Sequence, residues 1–380
     1  MRKAGYASRV TSGEPRPMTS QPKKSLHVGS AMIDIICIIA AENIERMTFS
    51  NEGKSFLMVE AGRKVAAQSI TSHVGGGACN TAVSLARRGW RATVLAKTGT
   101  DLNAGAVTEH LEKNAVATDH LIAETGLATG TAVMVASHDR NVSIFVHRGA
   151  NETLAPCDLP DTTFAGMDLV YVAPLSSGSA DCFPDLVARA KASGAMVAAN
   201  PGIRQLTSRT AEFLRSLAHV DLLSVNRVEA EALVPAFAPR DEGADPLPPE
   251  GAPVLLKRGL SFAGFEMGLL RFLAAARAAG PNWVLVTDGT EGAYLAGPDG
   301  VVWHPSLPVT VLGSAGAGDS YTSALAAALA EGTAPSDAML QAAMNAAAVV
   351  GVLDTTSGLM TPEVMAQRRK GFGDVPVMRF

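Results

Sequence analysis

Cysteine, aromatic residues and net charge are all low in this chain of 380 residues. Aromatic side chains make up 5% of it, and the formal net charge at pH 7 is −4. Such a mildly acidic chain offers no basic surface for nucleic acid or anionic membranes, so a small-molecule partner is expected. The cysteines show no metal-ligand spacing, which predicts reduced thiols in a cytoplasmic protein. They are Cys37, Cys79, Cys157 and Cys182.

No stretch of the sequence predicts a membrane-spanning helix. The most apolar early segment, residues 26–41, is interrupted by His27 and Asp34 and is shorter than the roughly 20 residues that a span requires. Residues 1–24 are rich in Arg, Lys, Ser, Thr and Pro, and they lack the apolar core of a secretory signal. We therefore expect a disordered tail over residues 1–24 and one folded domain over residues 25–380.

Short apolar runs alternate with helical patterns along most of the chain. The first run, from residue 26, carries Asp34, and helices are expected over residues 180–193 and 268–279, among others. This alternation predicts an α/β fold with a doubly wound, mainly parallel sheet flanked by helices, and with binding sites at the carboxyl ends of its strands. The later runs cover residues 92–97, 169–172, 196–200, 222–226 and 283–287.

Three segments depart from this alternation. Residues 42–73 mix short apolar runs with polar breaks, and residues 130–147 suggest two strands around a polar turn at 138–141. We expect these strands to form a small β lid outside the main sheet. Residues 236–265 are rich in Pro, Gly and acidic side chains, which predicts an irregular surface insertion.

A glycine-rich loop leads directly into a helical pattern at residues 311–332. Small residues fill 313–318, and Asp319 follows them. A loop with almost no side chains lets backbone N–H groups converge at a helix N-terminus and bind an anion. A carboxylate beside such a site can accept the proton of a hydroxyl that attacks a phosphoryl group. A helix cap is the alternative explanation for an isolated Asp at this position.

A second glycine-rich turn opens the segment 75–89. Glycine lets a backbone approach a ligand closely, and Asn80, three residues after Gly77, offers a donor and an acceptor to hydroxyl groups. A plain tight turn is the alternative. Asp34 lies in an apolar strand, where a buried carboxylate is costly without a partner, and vicinal hydroxyl groups would supply one.

Both glycine-rich segments resemble the two signatures of the ribokinase-like family, also called the phosphofructokinase B-type carbohydrate kinases. The second family pattern is roughly Asp-Thr-x-Gly-Ala-Gly-Asp followed by a helix. The resemblance implies that Asp319 is the catalytic base and that the backbone amides of Gly316, Ala317 and Gly318 form an anion hole. It also implies an enzyme that transfers the γ-phosphoryl group of ATP to a hydroxyl of a small sugar.

Further segments resemble the family in order, from residue 26 to about residue 358. The resemblance implies substrate contacts from Asp34, Gly76, Gly77, Asn80, Asp101, Arg148 and Asn151. It implies ATP contacts from Asn226, Thr287, Gly289, Gly292, Ser314 and Asn345, with Mg²⁺ held by Asn226 and Glu229 through water. Taken alone, the Asn-x-x-Glu spacing of residues 226–229 also suits a simple capped helix start.

Three positions differ from the family pattern. Gly313 replaces the first Asp of the second signature, and Ser314 replaces its Thr. Because that Asp commonly helps to hold a monovalent cation in the family, a potassium requirement is doubtful here. Arg148 replaces an apolar residue of the family. It is expected to face solvent, an anionic group of the substrate, or the phosphoryl group.

Three other functions share parts of this pattern. A nucleoside kinase of the same fold is the first alternative, because the family also phosphorylates nucleosides. A non-catalytic sugar-binding regulator is the second; Gly313 favours it mildly, whereas intact Asp319, Asn226 and Glu229 count against it. A dinucleotide-binding oxidoreductase is the third, although the turn at Gly75 lacks the required Gly-x-Gly-x-x-Gly spacing.

The expected lid strands also suggest a homodimer. An exposed small sheet leaves apolar faces and edges to cover, and lid strands often dimerise in the family that the sequence resembles. The candidate contact residues are Phe49, Phe56, Leu57, Met58, Val59, Ile144 and Phe145.

Overall fold

A ten-stranded sheet forms the centre of the computed structural model, which describes residues 21–49, 54–58, 60–62, 64–136, 142–238, 250–372 and 377–380. Seven neighbouring strands are parallel, and three antiparallel strands extend one edge. In sheet order they are β7 (Ala117–Ala123), β6 (Arg91–Thr98), β1 (Lys24–Val28), β10 (Leu169–Val172), β11 (Met196–Ala199), β12 (Leu222–Asn226), β15 (Trp283–Thr287), β16 (Ala293–Gly297), β17 (Gly300–His304) and β18 (Met378–Arg379).

Helices cover both faces of this sheet. One face carries α1 (Gly77–Arg87), α2 (Leu102–Lys113), α9 (Ala317–Ala330), α10 (Pro335–Val350) and α11 (Pro362–Arg369). The other carries α3 (Phe183–Ala192), α4 (Ile203–Ser208), α5 (Thr210–Ser216), α6 (Arg227–Phe237), α7 (Val254–Arg258) and α8 (Leu269–Ala278).

Each central strand contributes to two separate hydrophobic cores. In β10, Leu169 and Tyr171 pack with α1 and α9, whereas Val170 and Val172 pack with the helices of the opposite face. A strand that is buried on both faces is expected to be apolar along its whole length, as these runs are. The predicted α/β fold with a doubly wound, mainly parallel sheet is thereby confirmed.

A second, four-stranded sheet stands outside the main one, and we call it the lid sheet. Its order is β5 (Ala67–Gly75), β2 (Met32–Ile39), β8 (Gly130–Ala136) and β9 (Val142–His147). Strand β2 runs antiparallel to β5 and parallel to β8. A separate hairpin consists of β3 (Glu45–Phe49) and β4 (Lys54–Met58).

Two segments differ from their predicted structure. The first apolar run is two strands, because after Gly29 the backbone of Ala31 bonds to the Asn151 side chain instead of to a sheet neighbour. Asp34 therefore belongs to the lid sheet. Part of the expected irregular insertion is regular: α7 and a hairpin of β13 (Leu260–Phe262) and β14 (Phe265–Met267) lie there, and the hairpin packs against α6.

Some predictions fall wholly or partly outside the described residues. They are residues 1–20 of the tail, the polar turn at 138–141, residues 239–249 of the insertion, and Val59. Among the residues that are described, no helix has the length and apolar character needed to cross a membrane. All four cysteines are free thiols.

Candidate active site

The glycine-rich loop ends at Gly316, which caps helix α9. Gly316 has φ 74°, in the left-handed region, and a β-carbon built on it would lie 2.8 Å from the Cβ of Thr355. A side chain at this position would meet both backbone strain and a clash, so the turn needs glycine. This turn places the first residues of α9 at the end of an open loop.

The first amides of α9 are candidates for an anion hole. Among the described residues, no hydrogen-bond acceptor meets the N–H groups of Gly316, Gly318 or Asp319. The N–H of Ala317 donates to the carbonyl of Ser314 over 3.4 Å, which is a long bond. Unpaired donors at a helix N-terminus, where the helix dipole is positive, are suited to bind a phosphoryl group.

Asp319 stands in the same first turn and is half-buried. Its Oδ2 accepts a hydrogen bond of 2.8 Å from Nδ2 of Asn80. Burial raises the pKa of Asp319 to about 6, and the Asn80 hydrogen bond opposes that rise. A carboxylate whose pKa lies close to the working pH is an efficient general base.

Helix α1 brings Asn80 and the backbone of Gly77 to this carboxylate. Oδ1 of Asn80 accepts a hydrogen bond of 2.7 Å from the hydroxyl of Thr355, so both ends of its amide are fixed. A β-carbon on Gly77 would lie 2.6 Å from the Cβ of Ala173 and 3.7 Å from Oδ1 of Asp319. The first turn of α1 therefore packs tightly beside the base, and Gly76 caps that turn.

Asp34 is a buried carboxylate of the lid sheet with 6% of its surface exposed. No hydrogen bond to it occurs within the described residues. Burial raises its pKa to about 7, and the charge of Asp319 adds to the rise. The Asp34 carboxylate lies against Gly75 and that of Asp319 lies near Gly77, two residues further along the chain, so the two carboxyl groups share one region. Asp34 has a free hydrogen-bonding capacity that a substrate hydroxyl would use.

Asn226 and Glu229 form a reciprocal cap at the start of α6. Oδ1 of Asn226 accepts from the Glu229 N–H, and Oε2 of Glu229 accepts from the Asn226 N–H, both at 2.9 Å. The capped helix start is therefore present. Burial raises the pKa of Glu229 to about 7, and the charge of Asp319 contributes to the rise.

The predicted nucleotide turn adjoins that cap. Thr287 pairs with Asn226 across β15 and β12, so both lie at the carboxyl ends of neighbouring parallel strands. Asp288 accepts a hydrogen bond of 2.8 Å from Arg227, which ties the turn that contains Gly289 and Gly292 to α6. Ser314, in the glycine-rich loop, is exposed to solvent.

Two residues predicted as substrate contacts have hydrogen-bond partners inside the protein. Asp101 caps α2, and its carboxylate accepts hydrogen bonds from Ala104 N–H and from both the N–H and the hydroxyl of Thr129. The amide of Asn151 bonds to both backbone groups of Ala31 and to the carbonyl of Arg148. Asp101 and Asn151 thus hold the connections of the lid sheet in place, and their contact with a substrate stays a prediction.

Asn345, expected at the adenine, is also used inside the protein. It is 3% exposed, and its Nδ2 donates to the Ser84 hydroxyl and the Ser320 carbonyl while its Oδ1 accepts from Met360 N–H. An amide with these partners has no free donor for a base. Sequence spacing could not reveal this, because the partners come from other helices.

Sequence reasoning missed two positioning residues. Thr355 holds the amide of Asn80, and the Ser30 hydroxyl accepts a hydrogen bond of 3.1 Å from the N–H of Gly77. The run of polar residues at 354–357, just after the helical pattern of α10, was the available signal for Thr355. Ser30 gave none.

Comparison with known proteins adds a family and a fold. The model for "pfkB family carbohydrate kinase" matches residues 26–259 and 263–362. Ribokinase of Bacillus subtilis (strain 168) is 25% identical over 300 residues, which cover 78% of this chain and 86% of that protein.

Two solved structures share the fold at low identity. A nucleoside kinase of Methanocaldococcus jannaschii, described as an archaeal member of the ribokinase family, has a TM-score of 0.69 at 19% identity and covers 92% of this chain and 99% of its own. Ribokinase from Cryptococcus neoformans var. grubii serotype A, in complex with ADP, has a TM-score of 0.68 at 21% identity and covers 92% and 100%. Both agree with the architecture described above.

Proposed function

Because the chain belongs to the pfkB family of carbohydrate kinases and is a sugar or nucleoside kinase, we propose that it transfers the γ-phosphoryl group of ATP to a sugar hydroxyl. The observation that carries this proposal is the carboxylate of Asp319 beside the unpaired amides of α9. The ribokinase relative and the ADP complex of a ribokinase neighbour support the choice of donor and acceptor.

The base and the amides act on different groups in one reaction, the hydroxyl and the phosphoryl group. Asp319 takes the proton of the hydroxyl as its oxygen forms a bond to the γ-phosphorus. The bond from that phosphorus to the bridging oxygen of ATP breaks, and ADP leaves. The amides of Gly316, Gly318 and Asp319 stabilise the charge on the moving phosphoryl group.

Asp34 positions the acceptor. Its carboxylate would accept hydrogen bonds from sugar hydroxyls, and Asn80 holds Asp319 in the orientation that receives the proton. The lid sheet that carries Asp34 covers the sugar and excludes water, which would otherwise compete as the acceptor.

Glu229 and Asn226 would hold Mg²⁺, in part through water. Groups of three or more His, Cys, Asp or Glu that could hold a metal do not occur among the described residues. Mg²⁺ in kinases needs only one or two carboxylates because phosphate oxygens and water complete its shell, and the donor set at α6 fits this. When bound, the ion neutralises phosphate charge.

We propose no monovalent-cation requirement. A β-carbon on Gly313 would lie 3.1 Å from the carbonyl oxygen of Val352 and 3.2 Å from that of Leu353, so the backbone here is packed around glycine. The family's Asp would fit at this position only after these carbonyls move. A nucleoside acceptor stays the second candidate, since the fold is equally that of a nucleoside kinase.

Replacing the base tests the proposal. We expect Asp319→Asn to lower kcat by a factor on the order of 10²–10⁴, because the hydroxyl loses its proton acceptor, while substrate binding measured by calorimetry is retained. ADP release would be followed with sugars and nucleosides. Asp337→Asn, which changes a carboxylate paired with Arg369 on the far helices, is the control.

Near-normal turnover by the Asp319→Asn enzyme would reject the base assignment. Binding without turnover by the unaltered enzyme, across sugars and nucleosides, would instead support a non-catalytic regulator.

A further inference from the structure

A cavity of about 730 Å³ lies between the lid sheet and the start of α4. This volume is in the range of ligand sites in proteins. Residues 126–128 and the end of β9 form most of its wall, and Glu152 and Arg204 complete it. None of the contacts described so far uses the charged side chains of this wall.

The wall of the cavity is cationic. Arg148 and Arg204 both line it, together with His147. Neither guanidinium has a hydrogen-bond or ion-pair partner among the described residues. By contrast, Arg88, Arg189, Arg209, Arg215, Arg227, Arg258 and Arg369 each pair with a carboxylate.

Glu152 is the acidic group of this wall. Its Oε1 accepts a hydrogen bond of 2.7 Å from the Ser177 hydroxyl, which gives that carboxylate a partner other than the arginines. Arg148 is partly buried and Arg204 is exposed, and without a carboxylate partner both keep their N–H donors available, so together they suit an anionic ligand.

The lid sheet forms part of both the cavity and the active site. Asp34 pairs with Ala132, and Ala132 pairs with Val146 of β9. Residues opposite each other across strands point to the same face, so Val146, which lines the cavity, is on the same face as Asp34. One surface of the lid sheet thus faces both the acceptor site and the cavity.

The loops that carry the arginines also contact the active-site backbone. Asn151 links the carbonyl of Arg148 to Ala31, the residue after Ser30, whose hydroxyl holds Gly77. On the other side, β-carbons built on Gly77 and Gly202 would lie 3.5 Å and 3.2 Å from the ring of Pro174, so Pro174 stands close to both glycines, and Gly202 is two residues before Arg204. The cavity therefore adjoins the acceptor end of the site.

On the basis of the proposed kinase function, we propose that Arg148 and Arg204 bind an anionic group of the acceptor sugar, either a carboxylate or a phosphate monoester. Guanidinium groups bind both anions through paired, charge-assisted hydrogen bonds. The substrate class is then a sugar acid or a sugar phosphate. Neutral sugars and nucleosides would fill the acceptor site but leave the arginines unpaired.

Acceptor preference tests this inference directly. ADP release would be measured with ribose, adenosine, 2-keto-3-deoxygluconate and fructose 6-phosphate as probes. We expect kcat/KM for one of the two anionic sugars to exceed that for both neutral compounds by about 10- to 100-fold. This is the gain in binding expected from hydrogen bonds to a charged group. Which anionic sugar is preferred distinguishes a carboxylate site from a phosphate site.

Variants assign the preference to the arginines. Arg148→Ala and Arg204→Ala should each raise KM for the preferred anionic sugar by about 10- to 100-fold, with kcat and KM for ATP nearly unchanged. The lysine variants should restore part of the affinity, because they keep the charge and lose the paired donors. Arg368→Ala changes an exposed arginine of α11 and is the matched control.

Each outcome separates this inference from the kinase proposal. Equal or better use of ribose or adenosine overturns the inference and leaves the kinase intact, as does an unchanged KM in both alanine variants. If no probe is phosphorylated, the kinase proposal fails. Calorimetry of the two anionic sugars with the Arg148→Ala/Arg204→Ala protein then tests the site alone: lost binding supports it, and unchanged binding overturns it.

Discussion

The environment of Asp319 sets the pH at which the proposed base works. Its pKa is raised to about 6 because burial disfavours the ionised form, while the Asn80 hydrogen bond favours it. A general base acts when deprotonated. The acid limb set by this base is therefore expected as pH drops through about 6, and protonation of Asp34 and Glu229, whose pKa values are about 7, is expected to start the fall in activity at a higher pH.

Asn80→Ala should move that acid limb to higher pH. The variant removes the donor that stabilises the ionised carboxylate, so protonation of Asp319 begins earlier as pH falls. The profile of kcat/KM against pH, which reports the free enzyme, is the measurement. Thr355→Val removes the hydroxyl at the other end of the same amide and leaves the bond to Asp319, so its limb should stay near that of the unaltered enzyme.

An acid limb that does not move in Asn80→Ala would contradict the role of Asn80 in tuning the base. A general loss of activity at every pH, with an unchanged midpoint, would point instead to substrate positioning.

The buried carboxylate of Asp34 is expected to lower the free energy of unfolding. Its folded pKa of about 7 lies above the ordinary value of 3.8, so the buried ionised form is penalised at pH 8, and the penalty fades as pH falls from 7 toward 3.8. We expect Asp34→Asn to raise the free energy of unfolding by on the order of 1 kcal/mol at pH 8 and by less at pH 5. Denaturant unfolding at the two pH values measures this.

The control is Asp119→Asn, which changes an exposed carboxylate of β7 and should have little effect at either pH. A loss of stability in Asp34→Asn at pH 8 would mean that the carboxylate has a favourable partner in the folded protein.

Individual site residues could be predicted where chemistry depends on local sequence. Asp319 follows its own amide loop, and Asn226 and Glu229 form a cap within one turn, so the sequence contains both arrangements. The hydrogen bonds of Asp101 and Asn345 could not be predicted in this way, because each side chain bonds to groups distant in sequence, such as Thr129 and Met360. Local sequence says nothing about those partners.

At the scale of an element, the start of α9 depends on one glycine more than on its neighbour. Gly316 has a left-handed backbone and contacts Thr355, whereas a β-carbon on Gly318 would meet no atom within 4 Å. We expect Gly316→Ala to destabilise the fold by about 1–3 kcal/mol, since it adds strain and a clash. Gly318→Ala, the matched control, should be neutral or stabilise by up to about 1 kcal/mol, because alanine favours a helix.

Denaturant midpoints of the two variants provide the comparison, without any use of activity. Equal stability of both would show that the loop relaxes at Gly316 and that its conformation is not fixed by Thr355.

Elements differed in how well their sequences predicted them. Five of the seven parallel strands, β6, β10, β11, β12 and β15, were predicted nearly to the residue, because strands buried on both faces are apolar along their length. The edge strand β7 is only partly buried and was not predicted. The break between β1 and β2 depends on the Asn151 side chain, which is 120 residues away along the chain. Strands β16 to β18 form an antiparallel edge that depends on pairing, and the sequence pattern did not reveal them.

At the scale of the whole molecule, the lid sheet has a second face to cover. Successive side chains point to opposite faces of a sheet, so Ile35 and Cys37 lie opposite the Asp34 face. Register places Ile70 and Val135 beside Cys37, and Val133 and Phe145 beside Ile35. Ile35 itself is partly buried against the core that lies under α1 and α9, and we call the other five residues the outer lid face.

We expect two copies of the chain to pair through the outer lid face. Ile70 is 66% exposed and Phe145 is 63% exposed, and apolar side chains grouped on a sheet next to free edges favour association. Light scattering after size exclusion should give the mass of a dimer. Ile70→Lys with Phe145→Lys should give a monomer, because pairing would bury two charges per copy.

The control for this double variant is Val309→Lys, which adds a charge at a residue that is 40% exposed and belongs to the loop after β17. It should stay dimeric. A monomeric unaltered protein at every concentration would remove the outer lid face as an interface. Because Asp34 occupies the other face of the same strands, a dimer would also hold that carboxylate over the acceptor, and the monomeric variant should therefore show a raised KM for the sugar with ATP affinity unchanged.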